Sequence, residues 1–189
     1  MKYINFKNSN WENQGLVYAY SHRFLQTPKF VQKDGYIESS INETMPDGYD
    51  WIGLITKEKY SKTLKISTQC YFNTYGAPLI VMANEAVPDE NGILRISDYI
   101  EIVIYENGVN VWKHTMLNGK PSWNLVMGVE FEVLAEKPVS LSSYMKDDLL
   151  VIEAEGKKMQ VNLPDIPQNV HMGIIACEAI NRFYNFKIE

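Results

Sequence analysis

The 189-residue chain carries 18 basic against 23 acidic residues, a net charge of −5. With no basic run, a partner held by phosphate neutralisation is excluded, and no nucleic acid is expected. The length suits one domain, residues 1–189, and buries roughly 70% of the unfolded surface without a disulfide or metal staple.

No apolar run approaches the ~20 residues that span a bilayer, so no membrane partner is expected. Met1 to Lys7 lacks the continuous apolar segment of a secretory signal. The expectation is a cytoplasmic protein if Met1 is the native start, and an extracellular one if a leader was removed. Oligomeric state is left open.

In chain order, Tyr3–Phe6 reads as a strand, Trp11–Gly15 as a turn, and Leu16–Phe24 as a strand carrying Tyr18, Tyr20 and His22 on one side. Tyr36–Ile41 is a further strand. Met45–Asp50 is a turn in which Asp47 and Asp50 offer oxygens to Ca²⁺, a cation needing six to eight of them. An ordinary Asp-Gly turn explains the same residues, so no cofactor is assigned.

Trp51–Ile55 is a short apolar strand, and Lys57–Thr63 is read as a polar helical turn. Leu64–Asn73 alternates as a half-buried strand should, and Leu79–Asn84 is apolar on both sides, as a central strand. Trp51 and Trp123 are assigned to the core, and Trp123–Val133 to a strand with Leu125, Met127, Val129, Phe131 and Val133 inward. Cys70 and Cys177 read as buried free thiols, joined only if their strands are neighbours.

The clearest signal is the hairpin over 98–114, where Asn107-Gly108 separates two alternating runs. A turn on those two residues sets Glu106 opposite Val109, Ile104 opposite Val111, Val103 opposite Trp112 and Glu101 opposite His114. One face, Ile100, Ile102, Ile104, Val109 and Val111, belongs to a core. The other interleaves aromatic and polar groups: Tyr99, Glu101, Val103, Tyr105, Asn110, Trp112 and His114. A second hairpin over 149–163 turns at Gly156-Lys157, and Val170–Cys177 and Phe183–Ile188 close the chain.

About ten strands at hairpin spacing and almost no helix predict an all-β fold. Each sheet must hide one face, so the expected form is an antiparallel two-sheet β-sandwich or jelly roll.

The segments Tyr99-Ile100-Glu101, Asn107 to Trp112, Gly173 to Glu178 and Asn181 to Phe186 resemble the concanavalin A-like lectin/glucanase superfamily, bacterial members above all. The likeness runs from about Leu64 onward. It implies a curved sandwich whose concave sheet face receives a sugar chain, with an oligo- or polysaccharide as partner.

Glu101 to Glu106 resembles the E-x-D-x-x-E strand of laminarinase-type glucanases, in which the first Glu is nucleophile and the last acid/base. That chemistry needs two carboxyls about 5 Å apart. Here the central Asp is replaced by Val103, and an unbulged strand points Glu106 away from Glu101.

Three readings follow. In the first, the chain is a carbohydrate-binding, lectin-like domain using Tyr99, Tyr105, Asn110, Trp112 and His114 beside Glu101, with Arg182 as an outlying contact. In the second it is a glycoside hydrolase pairing Glu101 with Glu178. In the third it is a structural or protein-interaction sandwich whose aromatic face meets a partner. A Glu178–Arg182 ion pair and a Glu101–His114 cross-strand pair are the plainer alternatives for those residues. His22, His114 and His171 have no ligand spacing, so no zinc is expected.

Overall fold

The structure is a computed structural model that describes residues 1–39 and 51–189. Strands β1 (Lys2–Asn5) and β2 (Leu16–Ser21) flank a short 3-10 helix, Ser9–Asn13, where a turn was expected slightly later. A small hairpin, β3 (Val31–Lys33) and β4 (Tyr36–Glu38), follows. Next come β5 (Trp51–Thr56), β6 (Tyr60–Ser61), β7 (Ile66–Phe72) and β8 (Ala77–Pro88). The central hairpin is β9 (Leu94–Tyr105) with β10 (Gly108–Leu117), extended by β11 (Lys120–Glu130). Strands β12 (Val139–Lys146), β13 (Leu149–Ala154) and β14 (Lys157–Asn162) form a meander. The chain closes with β15 (Asn169–Cys177), β16 (Asn181–Phe183) and β17 (Asn185–Ile188).

One sheet runs β14-β13-β12-β7-β16-β4-β3, with β17 beside β7 and β1 beside β17. In the other, β8 lies between β9 and β15, β5 and β2 continue beyond β15, and β10 and β11 continue beyond β9. The two sheets hide their facing sides against each other, around Phe72, Phe183, Phe186, Ile102 and Ile174. The result is an all-β two-sheet jelly roll, as the strand spacing predicted.

The second sheet curls further than a sandwich requires. Strand β2 pairs with β5 and also, in parallel, with the start of β9, through Tyr20 with Arg95 and Ser21 with Ile96. Strands β9, β8, β15, β5 and β2 thus form a hydrogen-bonded ring. Its interior is filled by Tyr20, Trp51, Leu79, Val81, Ile96 and Ile175, among others. This explains why β8 is apolar on both sides: Ile80 and Met82 face the intersheet core, while Leu79, Val81 and Ala83 face the ring.

The central hairpin keeps the expected faces but shifts its pairing. Val103 lies opposite Asn110, Glu101 opposite Trp112 and Tyr99 opposite His114, so the turn is Glu106-Asn107. Neither turn residue has positive φ, whereas Gly108 has φ 135° and begins β10. A Cβ there would stand 2.0 Å from the Val129 carbonyl oxygen. Gly108 is therefore demanded by the close approach of β11 rather than by the bend. The second hairpin shifts in the same way: Glu153 pairs with Lys158, and Glu155-Gly156 turns with both φ positive, at 45° and 75°.

Three further expectations are corrected. Lys57–Thr63 holds no helix; its Tyr60–Ser61 pairs with the start of β15. The strand expected over 123–133 is β11, and a bulge breaks its phase: Val111 pairs with Met127 but Trp112 pairs with Leu125, leaving Val126 extra. Bulges insert one residue and so reverse which face follows. Met127 packs on the core, while Trp123 and Leu125 are 45% and 50% exposed. Trp123 is therefore not core. Cys70 and Cys177 are on different sheets and free, and burial pushes both thiols above the ordinary cysteine value. Asp47, Asp50 and the end of the strand expected over 36–41 lie outside the described residues.

Candidate functional site

On the concave side of the curled sheet a cavity of about 450 Å³ opens beside the filled ring. Its floor is Glu101 of β9, buried at 8% exposure. Oε1 accepts a hydrogen bond from Trp51 Nε1 at 3.0 Å, and Oε2 accepts one from His114 Nε2 at 2.8 Å. Trp51 reaches that carboxylate because Gly53, two residues along β5, leaves room for the indole: a Cβ at Gly53 would sit 2.8 Å from the ring. Trp51 was expected as core, and it is buried at 2% exposure, but its N–H serves the site.

His114 is fixed from its other face. Its imidazole stacks on Tyr99 with 4.3 Å between centroids and 6° between planes. The Tyr99 hydroxyl donates to Ser21 Oγ at 2.8 Å, and burial pushes its pKa well above the usual tyrosine range. Tyr99 is thus a neutral prop beneath the cavity, and it does not line it. Glu101 and His114 do form a hydrogen-bonded pair, yet they are diagonal neighbours, since Glu101 stands opposite Trp112.

Above the floor, half-buried Tyr105, Asn110 and Trp112 form one wall with Val103 between them. Exposed Trp123 continues that wall, and the Arg23 guanidinium lies 3.8 Å from its ring centroid. Facing them are Thr74–Ala77, with Tyr75 76% exposed, and the end of β15 at Cys177 and Glu178. Glu106 also lines the cavity although the β9–β10 ladder has no bulge. It stands in the turn, where strand alternation no longer fixes direction. That corrects the expectation that Glu106 points away.

Glu178 is presented by a strained bend. Both Glu178 and Ala179 have left-handed φ, 59° and 37°, each costing about 1–2 kcal/mol. Asn181 Nδ2 holds the bend by donating to the Cys177 and Glu178 carbonyls at 3.1 and 2.6 Å. Ser39 Oγ donates to the Ala179 carbonyl at 3.1 Å.

Burial raises the Glu178 pKa from the ordinary 4.5, so the folded state favours its neutral carboxyl. The stability this contributes is present below the unfolded pKa and is lost as pH rises through the folded one. Glu178→Gln is therefore expected to raise the unfolding midpoint at neutral pH and leave it unchanged in acid. Scanning calorimetry at both pH values checks this; an equal shift at both overturns it.

Arg182 is absent from the cavity. It lies on β16 in the opposite sheet, directly across from Glu38 of β4. Its Nε donates to Glu38 Oε2 at 2.7 Å, and its guanidinium lies 4.3 Å from the Tyr71 ring centroid and 5.0 Å from that of Tyr36. The expected outlying contact is corrected by topology, and so is a Glu178–Arg182 pair. Among the described residues no group of three or more His, Cys, Asp or Glu is placed to hold a metal ion. Arg23, Phe24, Tyr75 and Trp123 are cavity residues that sequence reasoning missed.

No protein-family model matches the chain, nor does any curated protein sequence. Solved structures do. The carbohydrate-binding module CBM66 from Bacillus subtilis has TM-score 0.65 at 11% identity, covering 93% of this chain and 95% of its own. β-Agarase A from Zobellia galactanivorans has TM-score 0.67 at 10% identity, covering 100% and 90%. The Bacillus licheniformis β-glucanase has TM-score 0.60 at 13% identity, covering 98% and 96%. At these identities the likeness is one of fold, and that fold is the concanavalin A-like jelly roll. It extends over the first third of the chain, beyond the segment from Leu64 that carried the resemblance in sequence.

Proposed function

We propose that this chain binds carbohydrate in the cavity floored by Glu101, through ring stacking and directional hydrogen bonds, with no covalent step. The observation that carries this reading is the juxtaposition of accessible Tyr105, Trp112 and Trp123 rings with Asn110, Glu101 and His114 in one concave site. Pyranose C–H faces lie against aromatic rings, while hydroxyls need a few convergent polar groups. A concavity of this size suits a small ligand better than a flat protein partner.

Two features favour binding over hydrolysis. Each Glu101 oxygen accepts a hydrogen bond, at 3.0 and 2.8 Å, which leaves one lone pair on each and makes the carboxylate a weaker nucleophile than an unbonded one. Val103 occupies the place of the central aspartate in the glucanase-like strand. The fold shared with a carbohydrate-binding module and with glycanases is compatible with either, so fold alone does not choose.

The test is a glycan array with wild-type protein, followed by calorimetric titration and chromatography of the bound glycans after prolonged incubation. Saturable binding with no change in chain length is expected. No binding to any glycan, or shortening of the chains, overturns the proposal.

A further inference from the structure

We infer that the cavity takes the end of a neutral sugar chain rather than an internal stretch, an inference that rests on the carbohydrate reading above. A polysaccharide read along its length must enter a concave face on one side and leave on the other. Here the second exit is closed twice.

The first closure is the strand ring. Because β2 hydrogen-bonds to β9 at Tyr20–Arg95 and Ser21–Ile96, the sheet's concave side beyond Glu101 is the interior of a ring packed with Leu79, Val81, Ile96 and Ile175. The second is a wall that spans the curl. Its lower layer is the Tyr99–His114 stack, tied to β2 by the hydroxyl bond to Ser21. Its upper layer is Arg23, just past β2, laid 3.8 Å from the ring centroid of Trp123 on β11. Strand β2 is bonded to the start of β9, and β11 reaches β9 through β10, so this contact links the strands on either side of the β9–β10 pair. Beyond the wall lies a separate crevice of about 10 Å³, with Ser21, Tyr99, His114 and Met116 among its walls. That is about one water molecule, not a sugar ring.

Charge narrows the ligand class. Among the described residues the cavity is lined by Glu101 and Glu106, and by Glu178 whose neutral form burial favours, against one Arg or Lys, Arg23. A sulfated or uronic chain would bring like charge to that lining. Neutral sugars meet no such cost.

Wild-type protein would be titrated with β-1,3-gluco-oligosaccharides and agaro-oligosaccharides, from disaccharide to octasaccharide, and with the parent polysaccharides. The same oligosaccharides capped at either end, and κ-carrageenan, complete the set. Expected is one protein per chain at every length, affinity per chain changing less than about threefold beyond the trisaccharide, and loss of binding on capping one particular end. Protein bound per chain rising with length, or capped chains binding as well as free ones, overturns chain-end recognition and leaves carbohydrate binding standing. κ-Carrageenan binding as tightly as the neutral series overturns the neutral class. Binding to none of these probes while the glycan array yields only internal or charged ligands overturns this inference alone, and no binding on the array either removes the carbohydrate reading with it.

Discussion

Replacing Trp112 with alanine is expected to weaken binding of the best glycan about thirtyfold while leaving the unfolding midpoint within a few degrees. Trp112 lies on β10 between Glu101 of β9 and Leu125 of β11. It belongs to neither buried cluster, so its ring contributes to the cavity wall rather than to the core. Aromatic anchors of this kind cost about 2 kcal/mol when truncated, which converts to about thirtyfold in affinity. Surface substitutions away from core features shift stability by about 0.5 kcal/mol or less. Titration calorimetry and thermal melts on the same preparation check both halves. Unchanged affinity would remove Trp112 from the site, and a large loss of stability would show the ring is structural. Trp51→Ala is the instructive contrast. That indole is both buried and a donor to Glu101, so binding and stability should fall together.

The faces of the central hairpin were legible from alternation alone, even though its bend was misplaced. The observed pairing is displaced so that each residue meets a partner two positions away, and a shift of two preserves which side every residue faces. Tyr105, Asn110 and Trp112 therefore reach the cavity, and Ile100, Ile102 and Ile104 reach the core, as the pattern required. Asn107-Gly108 misled because glycine has two uses. Here its missing Cβ admits the Val129 carbonyl, a contact with a residue twenty-one positions away.

The remainder of the site is non-local. Trp123 turns outward only because Val126 is a bulge, and no residue type marks one. Arg23 enters because β2 returns to β9 in parallel, a pairing between residues more than seventy positions apart. Arg182 was drawn toward the site by its nearness in sequence to Glu178. The bend at Glu178-Ala179 reverses the chain between the sheets, so β15 ends at the cavity and β16 begins beside β4. Closeness along the chain carries little information across such a bend.

Glu101 is expected to support the fold as well as the ligand. Removing its side chain leaves the Trp51 N–H and the His114 ring, both buried, without their acceptor. Breaking a buried hydrogen-bonded charged group in this way costs about 3 kcal/mol or more. For a chain of this length that is a fall in unfolding midpoint of about 6–12 °C.

Glu101→Gln keeps a carbonyl oxygen for one donor and offers its amide to the other, so it is expected to recover most of the loss. If Glu101 is a floor that holds Trp51 and His114 in place, Glu101→Gln should also retain most of the glycan affinity. A nucleophile held by the same two donors would lose the same stability on truncation, so the hydrolytic reading is checked by chromatography of glycans incubated with wild type and Glu101→Gln, where shortening by wild type alone would support it. Calorimetric melts of the two variants beside wild type check the supporting role. A midpoint for Glu101→Ala equal to or above wild type would overturn the supporting role assigned to Glu101.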